Sequence, residues 1–363
     1  MTRKILCILQ LPPPVHGAAL MNQAFVTSTL IRDRFRLQVV DITTAREIEQ
    51  IGHFSSGKIT GSVKNLFKII AAMLRHRPSL VYFTLSPAGF AFYRDAIYAL
   101  LIRAMGGKLI FHMHGQGIAA GAAKSRVFRW LARRAFYNSH VIFLAPALVR
   151  DLQGISYKKS FILPCGIPIT APGHLERRSG SGPVQLLYIS NYVRTKGIID
   201  LVDAMEKVAV YRRDFHLRLV GRPYDVSIEE LNNHIRSRGL DDLITICGPR
   251  YNEEKLEELR RADLFVFPTY NDAFPLVLLE AMQWALPVIT TKEGGIPDMI
   301  EDGVSGLLVN KRDISGLADK ILSLLENPAK RISLGTAARE RFMQKFTLFR
   351  FEQDMLQILD SIR

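Results

Sequence analysis

Two carboxylates eight residues apart, Asp272 and Glu280, stand in the most chemically loaded stretch of the sequence, DLFVFPTYNDAFPLVLLEAMQWALPVITTKEGGIPDMIEDGVSGLLV, residues 263 to 309. Phe274, Pro275 and Leu276 lie between them. A proline has a fixed φ and no N–H, so Pro275 suits the first position of a helix whose following N–H groups are left to meet an anion. A diphosphate fits that donor set. Glu280 falls about one turn into the helix while Asp272 stays in the loop, so the two carboxylates can address opposite ends of an extended ligand. The competing reading makes Asp272 a helix cap and Glu280 half of a surface ion pair.

Three further segments carry possible chemistry. In NYVRTKGIIDLVDAM, residues 191 to 205, Lys196 precedes Gly197 at a helix start, where an ammonium and free backbone N–H groups can together stabilise the charge of a leaving diphosphate. A solvated basic loop is the alternative. In LPPPVHGAALMNQAF, residues 11 to 25, Gly17 permits close backbone approach, and Ala18 and Ala19 leave the next helix N-terminus open to phosphate. This is not a G-x-G-x-x-G fingerprint and none follows Gly221, which disfavours a dinucleotide-dependent dehydrogenase. In KLIFHMHGQG, residues 108 to 117, His112 and His114 share one face of a strand end. An H-x-H can hold zinc, but in that case it opens the first strand of a barrel and is joined by more His and Asp ligands; here it ends the fourth strand. The chain contains no Asp-x-Asp to hold a divalent ion on a diphosphate. Cationic side chains and helix ends are therefore expected to do that work, with no metal and no cofactor. Cys165, in PCGIP, reads as a buried small residue, since nothing nearby in sequence would activate it.

These segments all follow short apolar runs. In the first half the runs KILCILQ, LQVVDI, LVYFTL, KLIFHMH, VIFLA and SFILP alternate with helix-like segments at 18–31, 62–75, 88–104 and 123–135. VYFTL and LIFHM are apolar at successive positions, as strands covered on both faces should be. The rhythm restarts with VQLLYIS, FHLRLVG, LITICG, DLFVFP and PVITT, separated by helices after Lys196, around 226–237, at 252–260 and after Pro275. Between the halves, TAPGHLERRSGSGP is rich in Gly, Pro, Ser and charge and has no apolar period, which marks a linker. The expected organisation is α/β: a first domain over 1–170, a linker over 171–183, a second doubly wound domain over 184–345, and a C-terminal helix over 346–363 packing back toward the first domain. Open parallel sheets bind ligands beyond the carboxyl ends of their strands, where the loops above lie.

Charge divides unevenly. Residues 1–175 hold 22 Lys and Arg against 6 Asp and Glu, and residues 176–363 hold 26 against 28, so the first half carries +16 and the second −2 of the net charge of +14. That half should face something anionic, a membrane surface, a phosphorylated lipid or polysaccharide, or nucleic acid, unless the excess is only a solvated basic surface. SVKNLFKIIAAMLRHR, residues 62 to 77, sets Lys64, Lys68, Arg75 and Arg77 beside an apolar stripe that suits either a membrane surface or the core, and RVFRWLARRAF, residues 126 to 136, repeats the pattern. A nucleic-acid-binding role would explain the charge but not the acidic pair, and no binding module is recognisable. No segment has the 18 or so apolar residues of a membrane span. The three cysteines lie far apart without C-x-x-C spacing, and the N-terminus reads as a first strand rather than a signal peptide. The expected location is cytoplasmic, peripheral on the cytoplasmic face of the membrane.

The 263–309 segment closely resembles the signature of retaining glycosyltransferases of family 4, also called glycosyl transferases group 1, and the resemblance extends over nearly the whole chain. It implies the GT-B fold: two doubly wound Rossmann-like domains facing across a cleft. It implies a nucleotide diphosphate sugar, UDP-sugar or GDP-sugar, as donor and a glycan or lipid-linked acceptor. On this resemblance Asp272 touches the transferred sugar, Glu280 accepts hydrogen bonds from the ribose, and Phe274, Pro275 and Leu276 belong to the donor site. Lys196 meets the diphosphate. The family's usual Arg five residues before it is Asn191 here, and Arg194 stands in for it. Gly17 lies in the loop that approaches the diphosphate, His114 matches the histidine that contacts sugar or phosphate, and Arg222 and Arg250 end strands that surround the base. The catalytic set is then Asp272, His114 and Lys196. A nucleotide-sugar epimerase shares this fold, and an inactive binding protein of the same fold is the reading that Asn191 and Asp272 keep open.

Overall fold

The computed structural model describes residues 3–43, 56–173 and 182–362; most of the expected linker, 171–183, lies outside them. The chain forms two compact units, Met1–Gly166 with Leu348–Arg363, and Ile167–Thr347.

The first unit is built on six parallel strands, β1 (Arg3–Leu9), β2 (Phe35–Asp41), β3 (Leu80–Phe83), β4 (Leu109–Met113), β5 (His140–Phe143) and β6 (Lys159–Ile162), in the order β2-β1-β3-β4-β5-β6. β3, β4 and β5 are buried at every position, which is what helices on both faces of a parallel sheet require. Among the described residues the strands are connected by α1 (Gly17–Thr27), α2 (Thr29–Arg34), α3 (Ser56–His76), α4 (Gly89–Ala104), α5 (Ile118–Lys124), α6 (Arg126–Phe136) and, between β5 and β6, a 3-10 helix over Pro146–Leu152. The helix expected over 18–31 is broken in two, the one expected over 123–135 starts at Arg126 behind a separate helix α5, and a serine makes each break. Ser28 leaves helical geometry and its Oγ accepts from Ile31 N at 3.3 Å. Ser125 does the same toward Phe128 N at 3.2 Å. A side-chain oxygen that caps a new helix satisfies one of its orphan N–H groups, which favours the break over a continued helix.

The second unit repeats the plan with β7 (Val184–Ile189), β8 (Phe215–Val220), β9 (Ile244–Gly248), β10 (Leu264–Phe267), β11 (Val288–Thr291) and β12 (Leu307–Val309), ordered β12-β11-β10-β7-β8-β9 and parallel throughout. Its helices are α7 (Ile198–Tyr211), α8 (Ile228–Arg236), α9 (Asn252–Arg261), α10 (Leu276–Gln283), α11 (Ile296–Met299), α12 (Ile314–Glu326) and α13 (Pro328–Lys345). Strand order reverses between β1 and β3 in one unit and between β7 and β10 in the other. Those are the points where loops diverge and leave a crevice at the carboxyl ends of the strands.

A last helix, α14 (Leu348–Ser361), belongs to the first unit, where it packs on α2. Arg3 Nη1 donates to Leu359 O at 2.8 Å, and Arg34 pairs with Asp360. The chain leaves the first unit after Gly166 and returns at Leu348, rather than at 170 and 346. The cause is local: Ile167 N donates to Phe346 O, and Gln283 Oε1 accepts from Thr170 N at 2.8 Å, so residues 167–170 are held by the second unit.

Candidate functional site

In the second unit the two loops at the strand-order reversal are joined to each other. Gly197, at φ +75°, lies so close to the end of β10 that a Cβ there would sit 2.2 Å from Pro268 O. The carbonyl of Thr195 accepts from Tyr270 N at 2.9 Å and from Thr269 Oγ1 at 3.2 Å. With the two backbones tied in this way, Lys196 Nζ reaches Asp272 Oδ2 at 2.5 Å and Asn271 O at 3.1 Å. Both side chains keep an exposed edge, 25% for Lys196 and 18% for Asp272, so a ligand can still reach the pair. The loop is also fixed on its far side, where Gly295 N donates to Ala273 O at 2.8 Å.

α10 starts directly after this loop. Pro275 is the residue before the first helical one, with an extended ψ of 113°, and Leu276 opens the helix. The proline therefore lies one position earlier than its sequence suggested, because its carbonyl already accepts the first turn's bond, from Leu278 N. The N–H groups of Leu276 and Val277, ahead of that first bond, have no intrahelical acceptor. Phe274 turns its ring into the core, 6.1 Å from the ring of Phe346. Glu280, on the first turn and a half of the helix, is held by Lys255 of α9, Nζ to Oε1 2.6 Å.

The arginines are placed less directly. The backbone N–H of Arg194 donates to Asp225 Oδ1 at 2.8 Å, and its guanidinium pairs with Glu230 of α8 rather than joining Lys196. Arg222 accepts from Tyr192 N through its carbonyl, which puts it beside the 191–197 loop. Arg250 faces Glu254 and Glu258, at 3.6 and 3.9 Å. Glu258 is 5% exposed and is gripped by Nε and Nη2 of Arg218, at 2.6 and 2.7 Å. Neither this bidentate pair nor Lys255 was singled out from the sequence. Each joins residues 25 or more apart on different elements, and no local spacing signals such a contact.

In the first unit Gly17 opens α1. His16 caps that helix, its Nδ1 accepting from Ala19 N at 3.3 Å, so one of the N–H groups expected to be open is already used. Asn22 of α1 donates to Gln10 O and accepts from Thr84 Oγ1, fixing the loop over the ends of β1 and β3. His114 follows β4. Its ring stacks obliquely on His112, centroids 4.0 Å apart, and His112 Nδ1 shares a 2.6 Å hydrogen bond with the Tyr82 hydroxyl. Burial pushes the His114 imidazole down to about 3, with His16 adding to the effect, and burial likewise carries His112 well below the usual histidine range. Both rings are therefore neutral at pH 7. Among the described residues their Nε2 atoms have no hydrogen-bond partner.

Thus Lys196, Asp272 and the start of α10 come together in one unit, with Glu280 further along that helix, while Gly17 and His114 lie at strand ends of the other unit. Among the described residues no three His, Cys, Asp or Glu side chains gather as metal ligands. The assembled groups in the second unit are a cation, a carboxylate and a helix N-terminus, a combination suited to an anion that carries hydroxyl groups.

Residues 176–341 match the family profile described as Glycosyl transferases group 1. Over 162 residues the chain is 34% identical to N-acetyl-alpha-D-glucosaminyl L-malate synthase of Bacillus anthracis, covering 44% of this chain and 41% of that one. The chain spans less than half the length of the curated relatives it matches. Among solved structures, sucrose-phosphate synthase of Thermosynechococcus elongatus aligns with a TM-score of 0.77 at 20% identity over 99% of both chains. HepE of Anabaena, solved with UDP and glucose, aligns with a TM-score of 0.73 at 20% identity over 99% of this chain and 100% of that one. At that identity the likeness is one of fold. Residues 176–341 are thus a domain of the Glycosyl transferases group 1 family, glycosyltransferase family 4, and the fold of the chain is GT-B.

Proposed function

We propose that this protein is a retaining, metal-independent glycosyltransferase that moves a hexosyl group from a UDP-sugar or GDP-sugar to a cell-envelope polysaccharide or lipid-linked acceptor. The observation that carries the reading is the Lys196–Asp272 pair at the mouth of α10. Lys196 and the first N–H groups of α10 balance the charge of the leaving diphosphate, Asp272 orients the sugar, and Glu280 holds the ribose. His114, neutral, offers a hydrogen bond to sugar or phosphate without adding charge. In the transfer the acceptor oxygen bonds to the anomeric carbon on the face from which the diphosphate departs. The bond from carbon to phosphate oxygen breaks, and the acceptor's proton passes to the departing phosphate. No protein nucleophile is then required. The presence of UDP in the Anabaena neighbour makes UDP the first nucleotide to try.

A thermal-shift panel of UDP, GDP, ADP and their sugars in EDTA tests this reading. At least one nucleotide should raise the melting temperature of the wild type and not that of Glu280→Ala. Stabilisation by none of them, with Glu280→Ala indistinguishable from wild type, overturns the donor site.

The same proposal places the first unit on the anionic cytoplasmic face of a membrane. No helix among the described residues is long and apolar enough to cross one. Support comes from a single helical layer in which α4 packs against both α3 and α6. α3 buries Asn65, Ile69, Ala72 and Met73 and turns outward Phe67 and Leu74, each 65% exposed, beside Lys64, Lys68 and Arg75. α6 exposes Val127 and Trp130 among Arg126, Arg129, Arg133 and Arg134, with the Arg134 guanidinium over the Trp130 ring. Neither helix contains an acidic residue. Apolar side chains set among cations that form no ion pair among the described residues suit an interface of acyl chains and anionic headgroups. The protein should float with vesicles containing phosphatidylglycerol and not with neutral ones; equal flotation with both, or none, refutes the placement.

A further inference from the structure

We infer that Lys255 is a positioning residue which presents Glu280 to the ribose of the nucleotide, an assignment that rests on reading Glu280 as the ribose anchor. α9 leads from β9 back to β10 and brings Lys255 beside α10, so that Nζ donates to Glu280 Oε1 at 2.6 Å. Among the described residues no donor engages the other oxygen, Oε2. The pair is neither a buried structural bridge nor a loose surface contact: 29% of the lysine side chain and 23% of the glutamate side chain remain exposed.

An isolated glutamate at this position has three side-chain torsions to fix before it can accept a bond from a hydroxyl. A lysine that occupies one oxygen fixes the plane of the carboxylate and leaves the second oxygen aimed outward, so less ordering remains to be done when a sugar hydroxyl arrives. Charge-assisted acceptance by an oriented carboxylate is the stronger kind of hydrogen bond. Used only as a tether between α9 and α10, so exposed a pair would contribute little to stability. The two roles therefore differ in what they move: a tether affects melting, and an orienting contact affects discrimination between a nucleotide that has ribose hydroxyls and one that lacks them.

The test measures dissociation constants by calorimetry for whichever of UDP, GDP and ADP binds best, and for its 2′,3′-dideoxy analogue. Wild type, Lys255→Met, Lys255→Arg and Glu280→Ala are compared. Loss of a positive charge weakens both nucleotides alike, so the quantity read is the ratio of the two constants. Wild type should prefer the ribonucleotide by roughly tenfold or more, as charge-assisted hydrogen bonds predict. Lys255→Met should shrink that preference at least fivefold while melting normally, and Lys255→Arg should keep most of it. An unchanged ratio in Lys255→Met, however far both constants move, overturns the inference while leaving Glu280 as anchor. An unchanged ratio in Glu280→Ala overturns the anchor as well, and binding of none of the three nucleotides overturns the donor site itself.

Discussion

Gly197→Ala isolates the joint between the two loops that assemble Lys196 and Asp272. The substitution has two effects. Alanine at φ +75° costs about 1–2 kcal/mol relative to glycine. Its Cβ would also sit 2.2 Å from Pro268 O, whereas carbon–oxygen contacts run near 3.3 Å. The loop must therefore withdraw by about 1 Å. That withdrawal strains the bonds from Tyr270 N and Thr269 Oγ1 to Thr195 O, worth about 1 kcal/mol each. The control is Gly239→Ala, in the same unit at φ +63° with nothing within 4 Å of the added carbon, which bears the conformational cost alone. The difference between the two variants is then about 2 kcal/mol, or roughly 4–8 °C in melting temperature for a unit of this size. Scanning calorimetry reads that difference. Titration with UDP should in addition show Gly197→Ala weakened about tenfold or more, through displacement of Lys196, and Gly239→Ala unchanged. If the two variants melt together and bind UDP alike, the account of how this loop is positioned is wrong.

Lys196→Met should lower UDP affinity roughly 10- to 100-fold, the range for loss of a charge-assisted contact to phosphate, whereas Asp272→Asn should leave UDP affinity within about threefold and reduce turnover. Equal losses of UDP affinity in the two would contradict the separate roles. Arg218→Leu strands the Glu258 carboxylate, 5% exposed, without its bidentate partner, and should destabilise by about 3–5 kcal/mol in urea unfolding, with Glu258→Leu added to it recovering most of the loss. Stability should also fall with acidification below the ordinary histidine range. Because His114 titrates near 3 when folded and near 6.5 when unfolded, the unfolded chain binds more protons across that window. This contribution is thus fully present above pH 6.5 and declines as pH drops toward about 3. His114→Asn should flatten that decline in melting temperature, and an unaltered slope would show that the imidazole is not held neutral.

What could be read from the sequence was local. The strands announced themselves because burial on both faces demands continuous apolar runs, as in LVYF and HVIF, Lys196 because it follows a strand end at a helix start, and Glu280 because it stands eight residues after Asp272. The helix breaks at Ser28 and Ser125 were hidden because a serine within a periodic stretch is compatible with helix until its capping bond forms. Lys255 was hidden because its partner lies on another helix, and the destination of the Arg194 side chain because Glu230 competes for it from α8. The stripe over 62–77 allowed two readings, core and surface, since both faces of α3 carry apolar side chains: Ile69 and Met73 inward, Phe67 and Leu74 outward.

The return of α14 to the first unit bears on the order in which the protein can form during synthesis. The second unit is one continuous stretch, Ile167–Thr347, and every strand it needs has been made once Thr347 has left the ribosome. The first unit is made first but waits longest. The helix that packs on α2 and accepts from Arg3 through Leu359 O emerges only after the whole second unit. Until then the α2 surface and the start of β1 lack their cover, and the nascent first unit carries exposed apolar surface through the whole time the second unit takes to be made. Truncation before Leu348 should therefore impair the folding of the first-made unit more than that of the second.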